Sequence, residues 1–166
     1  MTKIKQLFED YFEEYIELNP IMATFIGIHK FNHIYPNYLS DKEIDRQRDF
    51  YMKYLEKSNK IETKNLNTRD KHHLDVFKSR IRLELEGFKF PFELLPLDQF
   101  NNFVLDYVDM ASGMSFLPLK TKKDFENLIL KTKDFMEVME TSICKMREGI
   151  SRNLIFSKII MEKVVE

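Results

Sequence analysis

The chain has 166 residues, of which 32% are charged and 43% are hydrophobic, and its formal net charge is −1. This length suits one domain that buries most of its apolar surface, and we predict a single helical domain over residues 1–166. The balanced charge gives no electrostatic reason to expect nucleic acid or an anionic membrane as a partner. The one cysteine excludes an internal disulfide and cannot form a thiolate metal cluster by itself.

The N-terminal stretch MTKIKQLFEDYFEEY does not have the pattern of a secretory signal. It becomes acidic where a signal peptide would have its apolar core. No apolar run in the chain approaches the roughly 20 residues that a membrane-spanning helix needs. We therefore expect a cytoplasmic protein without membrane contact.

The first helix is predicted to end before Pro20. Its predicted core-facing residues, at three- and four-residue spacing, are Ile4, Leu7, Phe8, Tyr11, Phe12, Tyr15 and Ile16. Pro20 can open a short second helix that ends near Gly27. The loop HKFNHIYPNYL follows. The sequence SDKE, Ser40 to Glu43, is then a capping box for a third helix.

The second half of the chain continues the helical pattern. Asn67 or Thr68 caps a fourth helix, and NNFVLDYVDMASG predicts another. Thr121 and Asp124 resemble a capping box that begins a long helix. The residues that mark this helix, which ends near Gly149, are Phe125, Leu128, Ile129, Thr132, Phe135, Met136, Met139, Ile143 and Met146. No segment shows the alternating apolar and polar residues of a β-strand. We therefore predict an all-α fold: an irregular bundle of six or seven helices with two Pro-containing loops.

The connection GFKFPFELLPLDQFNNF, Gly87 to Phe103, is rich in phenylalanine and amides. Two prolines hold its backbone extended, so Phe88, Phe90, Phe92, Leu94 and Leu95 can wedge between helices. Gln99 and Asn101 supply amides that can satisfy irregular backbone or contact a ligand. The connection is therefore either a strap between helices or a strap that also lines a cavity.

No set of side chains predicts catalysis or metal binding. His72 and His73 are adjacent, so on a helix they point roughly 100° apart and cannot share one ion. His29 and His33 lie in a loop, where we interpret them as loop polar groups. Cys144 lacks a surrounding oxyanion loop and is interpreted as a structural thiol. We predict no catalytic residue, no metal ligand and no cofactor in this chain.

The C-terminal segment NLIFSKIIMEKVVE is strongly apolar. Either it folds back on the bundle, or the segment that covers it lies in sequence that is absent from this chain.

Several short motifs together resemble one known family. The stretch LFEDYFEEYIELNPIMATFIGIHKFNHIYPNYLSD is similar to the start of the bacterial-type domain of unknown function 885 family. The elements that carry the resemblance are Asn19, Pro20, Ala23, Thr24, Gly27, His29, Pro36, Tyr38, Leu39 and Ser40. LELEGFKFPFELLPLDQF and MREGI, residues 83–100 and 146–150, also resemble family segments.

The resemblance implies a large, mostly helical protein similar to zinc-dependent peptidases. The H-E-x-x-H helix of such a protein would lie beyond the N-terminal region, and zinc would polarise a peptide carbonyl and activate water. This chain contains none of those parts. It therefore resembles an N-terminal scaffold region that is inactive alone, with the absent catalytic region as its partner and a peptide as the substrate of the whole protein.

Three hypotheses remain open at this point. In the first, the scaffold region helps to cover a substrate cleft, with Gln99 and Asn101 near that cleft. In the second, the chain is a free-standing interaction module that binds a partner helix, or itself, through the apolar C-terminal residues Ile155, Ile159, Ile160 and Val164. In the third, it is a small enzyme that uses His72, His73 or Cys144.

Overall fold

The computed structural model describes residues 2–64 and 66–165 of the chain. Within these ranges it contains no strand, which confirms the all-α prediction. Short 3-10 helices occur at His29–Phe31 and Phe92–Leu94. The α-helices of the described residues are α1 (Lys3–Leu18), α2 (Pro20–Phe25), α3 (Asp41–Asn59), α4 (Thr68–Gly87), α5 (Phe103–Ala111), α6 (Lys122–Ser151) and α7 (Lys158–Val165).

The chain divides into two compact units, each formed from two segments. Unit 1 comprises Met1–Leu18 and Ile44–Phe90, and unit 2 comprises Asn19–Glu43 and Pro91–Glu166. The prediction of one domain over residues 1–166 stays a prediction. In the described part of the chain, none of the helices combines the length and the apolar character that crossing a membrane requires.

Unit 1 is held together by an aromatic core from α1, α3 and α4. The Tyr11 ring lies 5.0 Å from Phe50, 5.1 Å from Tyr54 and 4.9 Å from Phe77, centroid to centroid. Edge-on and tilted aromatic pairs of this kind stabilise a core beyond their buried area. The prediction that Phe12 faces inward is wrong, because its side chain is 46% exposed.

The predicted helix caps are present. The Asn67 Oδ1 accepts a hydrogen bond from the Asp70 amide at 2.8 Å and so caps α4. Thr121 and Asp124 form a reciprocal capping box at the start of α6. At the start of α3, the Ser40 hydroxyl accepts a hydrogen bond from the Glu43 amide at 3.3 Å. These contacts satisfy amides that a helix terminus would otherwise leave unpaired.

The core of unit 2 is a second aromatic cluster. Tyr107 stacks on Phe135 of α6 with 3.9 Å between the ring centroids. Tyr35 meets both rings edge-on, at 5.6 Å from Tyr107 and 5.3 Å from Phe135. The buried members of this core are Tyr35, Leu39, Phe103, Tyr107, Met110, Leu117 and Val138.

The orientation of α6 differs from the one that the spacing of its apolar residues would favour. Of the residues that mark this helix in the sequence, Phe125, Ile129, Met136 and Ile143 are 52%, 59%, 60% and 44% exposed. The residues that the helix buries instead are Lys131, Val138, Ser142, Lys145 and Gly149.

Polar contacts from the loop before α3 explain why this face of α6 is turned inward. Asp134 accepts a hydrogen bond from the Tyr35 amide at 3.0 Å. Seven residues further along α6, the Thr141 hydroxyl accepts a hydrogen bond from the Asn37 side-chain amide at 2.8 Å. Lys145 then forms an ion pair with Asp41. The segment from residue 35 to residue 41 is therefore attached to α6 at three points along one side of the helix.

The phenylalanine-rich connection is attached to unit 2 by a leucine. Phe90 and Phe92 are 56% and 66% exposed, so the prediction that they wedge between helices is wrong. Leu94 was predicted to wedge with them and is buried, and its backbone approaches α6 at Gly149. A Cβ atom on Gly149 would lie 2.9 Å from the carbonyl oxygens of Leu94 and Leu154.

The C-terminal apolar residues remain largely at the surface. Ile155 is 62% exposed and Ile159 is 69% exposed. Over residues 158–164, the part of α7 whose side chains the structure describes, none is buried. The segment therefore does not contribute to the core of unit 2.

Gly149→Ala is expected to lower the free energy of unfolding by about 1–3 kcal/mol, because the new methyl group must displace two backbone carbonyls. Gly87→Ala is the matched control. Gly87 is also helical, but a Cβ there meets nothing within 4 Å. This variant should be neutral or gain up to about 1 kcal/mol of helix propensity. Denaturant unfolding followed by circular dichroism compares the two, and equal effects would contradict the close approach.

Candidate functional site

Unit 2 contains a half-open cavity whose lining is aromatic and acidic. Its volume is about 360 Å³, which lies in the range of small-molecule sites. The lining residues are Ile21, Tyr35, Tyr38, Phe103, Asp106, Tyr107, Asp109, Met110 and Phe116.

The loop HKFNHIYPNYL supplies two of the three tyrosines. The Tyr35 amide is fixed on Asp134 of α6, as described above. Pro36 follows, and its carbonyl accepts a hydrogen bond from the Tyr38 amide at 2.9 Å. This tight turn brings the two tyrosines to the same cavity although a proline and an asparagine separate them.

Helix α5 supplies the acidic side of the cavity. Its N-terminus is capped by Asn102, whose Oδ1 accepts hydrogen bonds from the amides of Val104 and Leu105. The helix then places Asp106, Tyr107 and Asp109 within one turn of each other. The Tyr107 hydroxyl lies 2.6 Å from the Thr132 hydroxyl of α6, which fixes the ring between the two helices.

Tyr35 and Tyr38 are held in the neutral form. Burial, and then the negative charge of Asp106, raises the pKa of Tyr35 to about 12. The pKa of Tyr38 is also raised, first by burial and then by its neighbours Tyr35 and Asp106. Near pH 7 these hydroxyls are therefore hydrogen-bonding groups and not phenolate nucleophiles.

The charge of the cavity has one sign. Its lining contains the carboxylates of Asp106 and Asp109, both exposed to solvent, and no lysine or arginine. Aromatic faces and carboxylates both attract organic cations, whereas they repel phosphates and carboxylates. The cavity is therefore suited to a positively charged group attached to an apolar body.

The two amides that the sequence singled out lie elsewhere in unit 2. Gln99 and Asn101 are exposed, and neither is among the residues that line the cavity. Asn101 belongs to a turn in which the Asp98 carboxylate accepts hydrogen bonds from the Phe100 and Asn101 amides at 2.7 and 2.8 Å. Their predicted role beside a substrate cleft stays a prediction.

The histidines and the cysteine are dispersed. His29, His72 and His73 are exposed, His33 is half-buried, and Cys144 is exposed on α6. Over residues 2–64 and 66–165, no group of three or more His, Cys, Asp or Glu side chains is arranged to hold a metal ion. The zinc that the family resemblance implies therefore does not fit a site in the described part of this chain.

A second cavity, in unit 1, is lined by charged residues of both signs, and its volume is about 330 Å³. Lys53 lies across it and donates to both oxygens of Glu14 at 2.7 Å. The side-chain hydrogen bond and the charge of Lys53 lower the pKa of Glu14 despite the opposing effect of desolvation. Because this ion pair already neutralises its central charges, we regard the unit 2 cavity as the better candidate site.

Sequence reasoning missed the acidic side of the unit 2 cavity. Asp106 and Asp109 occur in FVLDYVDM, where two carboxylates interrupt an apolar helical pattern. On a helix, residues three positions apart lie on the same side, so the spacing was a usable signal. The tyrosines that face them come from a loop far away in sequence, and their proximity cannot be read from spacing.

Together these features define an all-α protein with an aromatic, acidic cavity in one of its two units. The chain belongs to the family described as bacterial protein of unknown function (DUF885), whose sequence model matches residues 20–166. Helix α1 precedes the matched range. Searches of curated proteins and of solved structures return no match.

Lys131 is a buried charge close to the contact between Tyr35 and Asp134. Its side chain is fully buried, and its Nζ has no hydrogen-bond partner among the described residues. Burial lowers the pKa of Lys131 from its ordinary 10.5 to about 8, although the nearby Asp134 charge partly opposes this. The folded protein therefore holds this proton less tightly than the unfolded chain does.

This pKa predicts a specific dependence of stability on pH. Below pH 8 the buried charge destabilises the fold, and the cost disappears as the pH rises from 8 towards 10.5. Lys131→Met should raise the free energy of unfolding at pH 7 by about 1–3 kcal/mol and flatten its rise between pH 8 and 10. Above pH 10 the raised tyrosine pKa values act in the opposite direction.

The measurement is denaturant unfolding across this pH range. Lys123→Met is the control, since the Lys123 side chain is 72% exposed and should show the wild-type slope. A Lys131→Met variant with the wild-type slope would contradict the burial of a charged ammonium.

Proposed function

We propose that this chain is the helical N-terminal scaffold region of a peptidase-like protein of the DUF885 family, and that it contributes substrate binding without catalysis. The observation that carries this proposal is the cavity of unit 2, which has the lining of a binding site. Its Tyr35 and Tyr38 hydroxyls are neutral, its carboxylates are exposed and no nucleophile with an adjacent base lines it. The match to the family model supports the part of the proposal that places this chain in a protein of the DUF885 family.

The ligand class follows from the lining of the cavity. Asp106 and Asp109 offer two carboxylates to an ammonium group. The rings of Phe103 and Phe116 offer faces for the apolar group beside it. A free amino terminus followed by an apolar side chain combines the two features in one short peptide. The scaffold would therefore hold the amino-terminal end of a peptide in this cavity. Gln99 and Asn101, which lie outside the cavity, would be near the substrate cleft of the full protein.

The test is titration of the chain with the dipeptide Phe-Ala-amide and with the same dipeptide acetylated at its amino terminus. We expect the free amine to bind and the acetylated peptide to bind at least about tenfold more weakly, because acetylation removes the charge. Calorimetry gives the dissociation constants. Chemical-shift changes at Tyr35, Tyr38 and Tyr107 locate the site.

Matched variants separate this cavity from surface charge in general. Asp106→Asn combined with Asp109→Asn should abolish the preference for the free amine. Asp75→Asn, an exposed aspartate on α4 of unit 1, should leave it unchanged. Equal binding of both peptides would overturn the proposed ligand class. Hydrolysis of the peptides at catalytic rates in the presence of zinc would overturn the non-catalytic role.

The free-standing interaction module is a second candidate function. Exposure of Ile155 and Ile159 favours it, because adjacent exposed apolar side chains on a C-terminal segment are typical of association surfaces. Replacing both residues by aspartate and measuring sedimentation tests this candidate, and an unchanged association state would exclude the C-terminal segment as the surface.

A further inference from the structure

Helix α6 carries an apolar stripe with the repeat of a coiled coil. Its positions alternate by four and three residues over almost four heptads, which is the spacing that lets two helices pack along their length. We call this stripe the α6 seam, and its apolar residues are Phe125, Ile129, Met136, Met139, Ile143, Met146 and Ile150. Its third position is Thr132, whose hydroxyl lies against the Tyr107 hydroxyl of α5. At 1.5 Å per residue it extends over about 38 Å.

The α6 seam is exposed within unit 2. Ile129, Met136 and Ile150 are 59%, 60% and 66% exposed, and Phe125 and Ile143 are also largely open to solvent. Met139 and Met146 are half-buried at its edge. A continuous apolar stripe of this length is uncommon on a surface that contacts only water. The stripe therefore needs an occupant.

The charges beside the seam indicate which occupant fits. The flank that faces solvent carries Glu126, Lys133, Glu140 and Arg147, one residue per heptad with alternating sign. Lys133, Glu140 and Arg147 form no ion pair with another described residue. The opposite flank includes Phe135 and Gly149, which belong to the packing of unit 2. Only one flank is thus available for charge pairing.

We propose that the α6 seam binds the α6 seam of a second copy of this chain in antiparallel orientation. Reversing the direction of the second helix places its charges in the order that complements the first. Glu126 then faces Arg147 of the second copy, and Lys133 faces Glu140. Because the dimer is symmetric, it contains four such charge pairs. In the same register the two seams overlap over their full length, and Met136 of one copy packs against Met139 of the other at the centre.

The alternative orientation lacks this complementarity. In a parallel pair of helices, the charged flank of one seam faces the opposite, uncharged flank of the other seam. That opposite flank carries Leu128, Phe135, Ser142 and Gly149, which have no charge to offer. The pattern therefore selects an antiparallel second copy over a parallel one.

Sedimentation equilibrium of the wild-type chain, from low to high micromolar concentration, is the first test. We expect a reversible dimer that Met136→Glu and Ile143→Glu each shift to monomer. Val76→Glu is the matched control, since Val76 is a similarly exposed apolar residue on α4 of unit 1. Ile159→Glu on α7 should also leave the dimer intact. A monomeric wild type at high micromolar concentration overturns the proposal, as does loss of the dimer in the Val76 or Ile159 variant.

Charge reversal tests the register independently of the apolar seam. Lys133→Glu alone and Glu140→Lys alone should each weaken the dimer by about tenfold at low salt, because each introduces two like-charge contacts. The double variant should regain wild-type affinity, since the pairs are then reversed and intact. Both substituted positions are exposed, so circular dichroism should show an unchanged fold in all three variants. If the double variant is as weak as the single ones, the antiparallel register is wrong.

Discussion

The structure of unit 2 depends on the attachment of the tyrosine-bearing loop to α6. Three polar contacts hold it there: Tyr35 to Asp134, Asn37 to Thr141, and Asp41 to Lys145. Their acceptors and donors on α6 are seven and four residues apart, so they lie along one side of the helix. That side must face the loop. The contacts therefore fix the rotation of α6 about its own axis, and hydropathy alone would have chosen another rotation.

Two functional surfaces follow from this one rotation. Turning Phe135 towards the loop builds the aromatic cluster with Tyr35 and Tyr107, and these two tyrosines line the cavity. The same rotation turns the apolar heptad positions outwards and buries Lys131 without a hydrogen-bond partner among the described residues. Burial of an unpaired cation costs free energy, which the surrounding packing must offset. The orientation that the polar contacts impose on α6 therefore lowers the stability of the fold by burying Lys131.

The helices could be predicted because they depend on interactions between residues close in sequence. The cavity, in contrast, arises from contacts between segments that are distant in sequence. Spacing and capping residues such as Asn67 and Thr121 identify the α-helices, because these effects act within a few residues. The inward face of α6 was not predictable in this way. An apolar stripe normally marks the buried side, and nothing in a hydropathy pattern indicates that Lys131 and Lys145 are buried instead. Tyr35 and Asp106 likewise meet only through tertiary packing.

Hydrogen exchange at the Tyr35 amide tests the central claim most directly. This amide donates to Asp134, so in the folded protein its exchange should be as slow as that of amides in the middle of α6. The Phe100 amide is the internal reference, because it is bonded to Asp98 in an exposed turn and should exchange much faster. If Tyr35 exchanges as rapidly as Phe100, the loop is not held on α6, and neither the cavity nor the orientation of the helix has the origin described above.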